Sequence, residues 1–269
     1  MLSKQECESQ YKDVFNTPIN GIGATRNNLQ RLLRSIDFVG WSTHEESGRL
    51  DRRALTRFAS GSANIFSRRM MTESETSAVS ILIDCSGSMR SGDNNQRRID
   101  IAQQIAVHLS KLFQQSRVPF AVTGFRSGRM SSAVNDKLYA VTEQPMFIPF
   151  KQWGRSLQSS IAEMGAINRS ASGGTPDYSA AVNAINDLHT RPEQRKILFL
   201  LTDADSYSKE HMRHVQKLAD KLGIIIVAIG IGRTDVQLCF VNSLDVSNLN
   251  QLASTSFNQL LKAVERKRK

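Results

Sequence analysis

Three short apolar runs constrain this chain more than anything else in it: "AVSILID" (78–84), "KILFLLTD" (196–203) and "IIIVAIGIG" (224–232). Each is too short for a helical core segment and shows no polar alternation, so each reads as a strand buried on both faces. Between them lie amphipathic segments. "RIDIAQQIAVHLSKLFQQ" (98–115) carries apolar residues at 101, 102, 105, 106, 109, 112 and 113, one face of a helix. "TPDYSAAVNAINDLH" (175–189) and "KEHMRHVQKLADKLG" (209–223) read the same way. Strands alternating with helices call for an α/β fold: a doubly wound, mostly parallel central sheet flanked by helices. The pattern also predicts strands at 118–125 and 137–143, a loose segment through Trp153, and a helix near 156–164. A last helix runs from about Val246 or Phe257 to Arg266. In such sheets ligands bind beyond the carboxyl ends of the strands, at the point where the strand order reverses.

Upstream the texture differs. Residues 1–75 are polar, with weak helical signals around 27–36 and 50–60 and no clear strand. They read as a helical or partly ordered N-terminal extension preceding a domain at 76–269. No apolar stretch approaches a membrane span, and the polar N-terminus lacks a secretory core, so a cytoplasmic location is expected. Cys7, Cys85 and Cys239 are odd in number and unpaired in spacing, which favours a reducing compartment and buried bystander thiols. The formal net charge is +10. Six arginines stand against one aspartate between Arg49 and Arg69, and the chain ends "ERKRK". No nucleic-acid-binding signature accompanies them, so a solvated basic face ranks first, an acidic protein surface second and nucleic acid third.

The first run leads into "DCSGSM", with Asp84, Ser86 and Ser88 at alternate positions. Alternate residues of an extended chain point the same way, so three oxygens can converge, and Gly87 lets the backbone turn tightly. Asp203 ends the second run, and "SGGTPDYSAAV" offers Thr175 just before a helix. Each residue alone has a simpler role. Thr175 before Pro176 reads as a helix cap, Asp203 as a strand-end turn residue, and the two serines as caps of the next helix. Taken together, three loops at one sheet edge supply two carboxylates and three hydroxyls, without histidine or cysteine. That hard-oxygen set suits Mg²⁺ (or Mn²⁺) rather than zinc or copper. Two carboxylates at most balance the ion's charge, so a site of this kind can recruit an acidic group from outside.

The D-x-S-x-S run, the Thr of "GGTP" and the Asp of "LLTD" resemble the metal-ion-dependent adhesion site of von Willebrand factor A domains. This resemblance covers about 76–240 and implies a Rossmann-like fold with Asp84, Ser86, Ser88, Thr175 and Asp203 as metal ligands. "GRLDRRALTRFASGSANIFSRR" (48–69), "SAVSILIDCSGSMR" and "RPEQRKILFLLTD" (191–203) further resemble the CobT-type subunit of aerobic cobaltochelatase. That likeness implies a bacterial or phage protein, itself non-catalytic. It would work with a AAA+ ATPase, docked through a carboxylate at the metal site, in cobalt insertion into a corrinoid or in remodelling. The alternative is a stand-alone metal-dependent adhesion or ligand-binding module. Enzymatic readings find little support: the chain has no G-x-x-x-x-G-K-[ST], no G-x-G-x-x-G, no G-x-S-x-G and no H-E-x-x-H.

Overall fold

Strand β4 (Ser77–Asp84) is buried along its whole length, and its side chains divide between two cores. Val79, Ile81 and Ile83 face helix α3 (Arg98–Gln115), whose Ile105, Ala106 and Leu109 are fully buried. Ala78 and Leu82 join the opposite core, built on Ala180, Ala181 and Ile185 of α5 (Asp177–His189) and Met212 and Val215 of α6 (Lys209–Lys221). Strands β7 (Arg195–Thr202) and β8 (Ile224–Ile231) split in the same way. Two-faced burial explains why these runs carry no polar alternation.

The structure, a computed structural model, describes residues 3–19, 22–33, 35–45, 47–52, 64–74, 77–92, 96–127, 145–203, 208–232, 234–254, 258–259 and 261–262. The chain forms two compact units, residues 1–33 with 76–269, and residues 34–75. In the first, six strands run in the order β6-β5-β4-β7-β8-β9, with β5 at Phe120–Arg126, β6 at Met146–Lys151 and β9 at Ser243–Val246. All neighbours are parallel except β5 and β6. The chain builds outward from β4 through β5 to β6, then returns to lay β7 on the other side of β4. The order therefore reverses between β4 and β7, and that is where this fold offers a site.

Two expectations are corrected at the sheet's ends. The stretch expected to be loose through Trp153 contains β6, an antiparallel edge strand. Val246 closes β9 rather than opening a helix, and a 3₁₀ turn, Leu249–Ala253, follows. Beyond it the described residues 258–259 and 261–262 are helical. The strand expected at 137–143 lies outside the described residues. Of the three thiols expected to be buried, only Cys85 is; Cys7 and Cys239 are half-buried. No helix among the described residues is long and apolar enough to cross a membrane.

The N-terminal helices belong to the first unit. Helix α1 (Lys4–Asn16) opens with a capping box, Ser3 and Glu6 bonding each other's backbone N–H groups. Tyr11 of α1 and Leu29 and Leu33 of α2 (Ile22–Leu33) enter the core on the α3 side. The His108 ring of α3 meets Val14 O at 3.1 Å. Gln103 of α3 donates to Met164 O and Gly165 O of the short α4 (Ile161–Gly165). At the unit's seam, the Ser77 hydroxyl donates to Leu33 O. Residues 34–75 form an antiparallel sheet in place of the strandless texture read from sequence. Its order is β1-β3-β2, with β1 at Ser35–Glu45, β2 at Arg49–Leu50 and β3 at Phe66–Ser74. The helix expected at 50–60 falls mostly on residues outside the description.

Gly165 lets α1 approach closely: a Cβ there would stand 1.9 Å from Cys7 O. Gly165→Ala is therefore expected to push α1 off α4 and to cost about 1–3 kcal/mol, the usual price of overpacking. Urea unfolding checks this, and an unchanged midpoint would contradict the packing described.

Candidate metal centre

Asp84 ends β4 and Asp203 directly follows β7, so the two carboxylates flank the reversal of strand order. Asp84 is fully buried. Its Oδ1 accepts the Ser86 N–H at 2.8 Å and its Oδ2 accepts the Thr202 hydroxyl at 3.0 Å. Burial first, and then the Asp203 charge, push the Asp84 carboxyl up to about 7, against the hydrogen bonds that pull it down. The Asp203 side chain is wholly buried and accepts from Arg98 Nη1 at 3.0 Å. Arg98 opens α3, and its guanidinium is the described cation paired with this carboxylate couple.

The serines do not cap the following helix. Arg97 occupies the N-cap of α3, and its side chain makes no cap bond. Ser86 precedes a 3₁₀ turn, Gly87–Arg90, again without a side-chain cap bond. The two hydroxyls instead meet each other, Oγ to Oγ at 2.9 Å. Thr175 does not cap either, because the N-cap of α5 is Pro176. All three hydroxyls thus escape the roles that would have explained them without a ligand.

Backbone bonds join the loop after β4, the loop before α5 and the end of β5. Gly87 N–H donates to Gly173 O at 2.9 Å, Ser172 N–H to Cys85 O at 2.8 Å and Ser127 N–H to Gly174 O at 2.9 Å. These bonds bring the segment leading into Thr175 against the turn that holds Ser86 and Ser88. Gly87 opens the 3₁₀ turn, so the backbone turns tightly there as expected, without a positive φ; it also allows close approach, since a Cβ would sit 3.1 Å from Gly173 O. Gly173 is the strict requirement. Its φ is +77°, and a Cβ there would stand 2.0 Å from Ser127 O. Cys85, between the acid and the first serine, is packed inside and accepts the Ser170 hydroxyl at 3.1 Å. Burial pushes its thiol up to about 12, so it is not a thiolate ligand.

The structure brings Asp84, Ser86, Ser88 and Asp203 to one edge, with Thr175 on the loop bonded to it. The donor set fits a hard divalent cation. Two carboxylates share a buried position with repulsion raising one of them, and the hydroxyl oxygens beside them have no capping duty. Sequence reasoning passed over Thr202 and Arg98. Thr202 is findable from strand register, since Ile83 pairs with Leu201 and so the next residues, Asp84 and Thr202, lie side by side. Arg98 looks in sequence like any basic residue at a helix start, and its role needs the fold.

A family described as "von Willebrand factor type A domain" matches residues 78–267. Among solved structures the chain is similar to the VWA domain of SpRpn10, at 18% identity and a TM-score of 0.51, over 68% of this chain and 95% of that one. It is similar to the PilB minor pilin from Streptococcus sanguinis, at 14% and 0.52, over 77% and 66%. It is also similar to proximal thread matrix protein 1 from the mussel byssus with a zinc occupied MIDAS motif, at 20% and 0.50, over 70% and 46%. At these identities the likeness is one of fold.

Because burial raises the folded-state value of Asp84 above the ordinary 3.8, the folded protein binds the extra proton. Its contribution to stability is greatest near pH 4 and is lost as pH rises towards 7. In EDTA, the melting temperature is expected to fall between about pH 4 and 7, and Asp84→Asn should flatten that fall. A slope unchanged by the substitution would remove Asp84 as its source.

Proposed function

The chain belongs to the von Willebrand factor type A domain family, and on that premise we propose that it is a metal-dependent protein-docking module. Domains of this family are protein-interaction modules and are often metal-dependent. The observation that carries the reading is the pair of serine hydroxyls, freed from capping, on the turn that follows the buried Asp84 where the strand order reverses. Asp84, Ser86, Ser88, Thr175 and Asp203 would hold Mg²⁺ (or Mn²⁺). Bound there, the ion would supply a Lewis-acid contact for a carboxylate offered by another protein. The protein's own groups do the rest. Thr202 and the Ser86 N–H fix the Asp84 carboxylate, and Arg98 holds Asp203 in place. Neutral hydroxyls add donors without adding charge, so the site keeps an appetite for an external acid.

Catalysis is not part of this reading. Among the described histidines, His108 meets Val14 O, and His211 and His214 lie against the Tyr178 ring. A narrower version has the partner be a AAA+ ATPase, in the manner of CobT-type subunits. Its support is the sequence likeness over 48–69 and 191–203, and cobalt insertion would be its furthest extension. The test is recovery of a AAA+ ATPase from lysate with Mg²⁺, but not with EDTA or Asp84→Ala. Equal recovery in all three would sink a metal-bridged partnership.

Two measurements probe the metal site directly. Mg²⁺ at one hundred times its Kd should raise unfolding free energy by about 2.7 kcal/mol. Ser86→Ala and Thr175→Ala should remove most of that gain, and no shift with Mg²⁺ or Mn²⁺ would defeat the proposal. Arg98→Gln strips the partner from a buried carboxylate. It should cost about 1–3 kcal/mol in EDTA, less than a fully buried pair because Arg98 keeps 31% exposure. Saturating Mg²⁺ should shrink this loss, as the ion takes over the neutralisation. A loss of equal size with and without metal would reduce Arg98 to a packing residue.

A further inference from the structure

Two arginines near the site pair with no carboxylate among the described residues. Arg90 closes the 3₁₀ turn that carries Ser88 and is exposed. Its Nε donates to Ala171 O at 2.6 Å. Arg126 ends β5, and its Nη1 donates to Ser170 O at 3.1 Å and to the Ser172 hydroxyl, while its other Nη lies 3.8 Å from Met146 Sδ. Both side chains therefore grip one segment, 170–172, that leads through Gly173 into Thr175. Their partners are neutral oxygens and a thioether. Among the described residues no carboxylate pairs with either.

Four other described arginines do pair with carboxylates: Arg97 with Asp100 at 2.7 Å, Arg98 with Asp203 at 3.0 Å, Arg155 with Glu163 at 3.2 Å and Arg191 with Glu193 at 2.6 Å. Arg213, like Arg90, bonds a backbone carbonyl through Nε, but it lies on α6, whereas Arg90 shares its turn with Ser88. Arg90 is the better recognition group. Anchoring through Nε alone leaves its two terminal NH₂ groups as a fork on an exposed side chain, the shape that binds a carboxylate bidentately. The carbonyl anchor also removes much of the rotamer freedom that usually weakens a surface ion pair.

We propose that the segment docked here is an acidic doublet: one carboxylate at the metal position and a second, close in sequence, on the Arg90 fork, with Arg126 adding to the positive rim. The inference rests on the metal-docking reading and specifies its partner as an acidic peptide segment of another protein. A lone Asp or Glu would satisfy the metal and leave Arg90 unused.

The test uses the full chain and fluorescein-labelled Gly/Ser peptides carrying either one Glu or two Glu at spacings of one to three residues. Anisotropy is read in Mg²⁺ and in EDTA. The doublet is expected to bind about five- to tenfold more tightly than the single acid in Mg²⁺, with the advantage shrinking as salt rises. Arg90→Gln should bring the doublet down towards the single-acid level. Arg90→Lys, which keeps charge but loses the fork, should fall between. A wild-type protein that binds both peptides equally in Mg²⁺ overturns the doublet while metal docking stands. A doublet advantage that survives Arg90→Gln overturns the role of Arg90. Binding of neither peptide in Mg²⁺, or equal binding in Mg²⁺ and EDTA, counts against the docking reading and the doublet with it.

Discussion

Two like charges buried at the ends of adjacent parallel strands are the constraint around which the upper edge of this fold is arranged. Asp84 and Asp203 cannot be moved apart, because β4 and β7 are locked in register and both strands are packed on two faces. The protein answers in three ways. Asp203 takes the Arg98 guanidinium, Asp84 takes two neutral donors, and Asp84 holds its proton more tightly than an ordinary aspartate. Each answer is partial. A small divalent cation among hard oxygens would complete them, and so the electrostatic tension of the free site and its proposed function are one property.

That tension would disperse if the loops could spread. Main-chain bonds hold the loops after β4 and before α5 together: Gly87 to Gly173, Ser172 to Cys85, Ser127 to Gly174, with Arg90 and Arg126 gripping residues 170–172 besides. Gly173 makes this possible with a left-handed backbone tight against Ser127 O. Metal affinity should consequently be sensitive to glycine substitutions that touch no ligand.

The legibility of this chain in sequence follows burial. Strands β4, β7 and β8 are readable because both faces are covered, which favours apolar side chains at successive rather than alternate positions. Strand β6 is hidden because it is an edge, with Met146 and Phe147 exposed and Pro149 tolerated only where no inner neighbour needs its missing N–H. The antiparallel sheet of 34–75 is hidden for another reason: "SRRMMTES" has neither the apolar content nor the alternation that marks a strand. At the site, the five oxygen donors are visible because their spacing is fixed by strand ends. Arg98 and Arg90 are not, since a guanidinium acquires meaning only from what lies opposite it. The N-cap readings of Thr175 and the serines are reasonable from sequence and fail on a detail of helix geometry, namely which residue the first turn begins on.

The bond from the Ser77 hydroxyl to Leu33 O has an architectural consequence. The main chain leaves the first unit at the end of α2 and re-enters it at the start of β4, and these two points are in contact. Residues 34–75 are thus spliced into a closed gap. In modular terms they are an insert whose exit and return share one address, and a few glycines could bridge that gap. The larger sheet draws none of its six strands from residues 34–75.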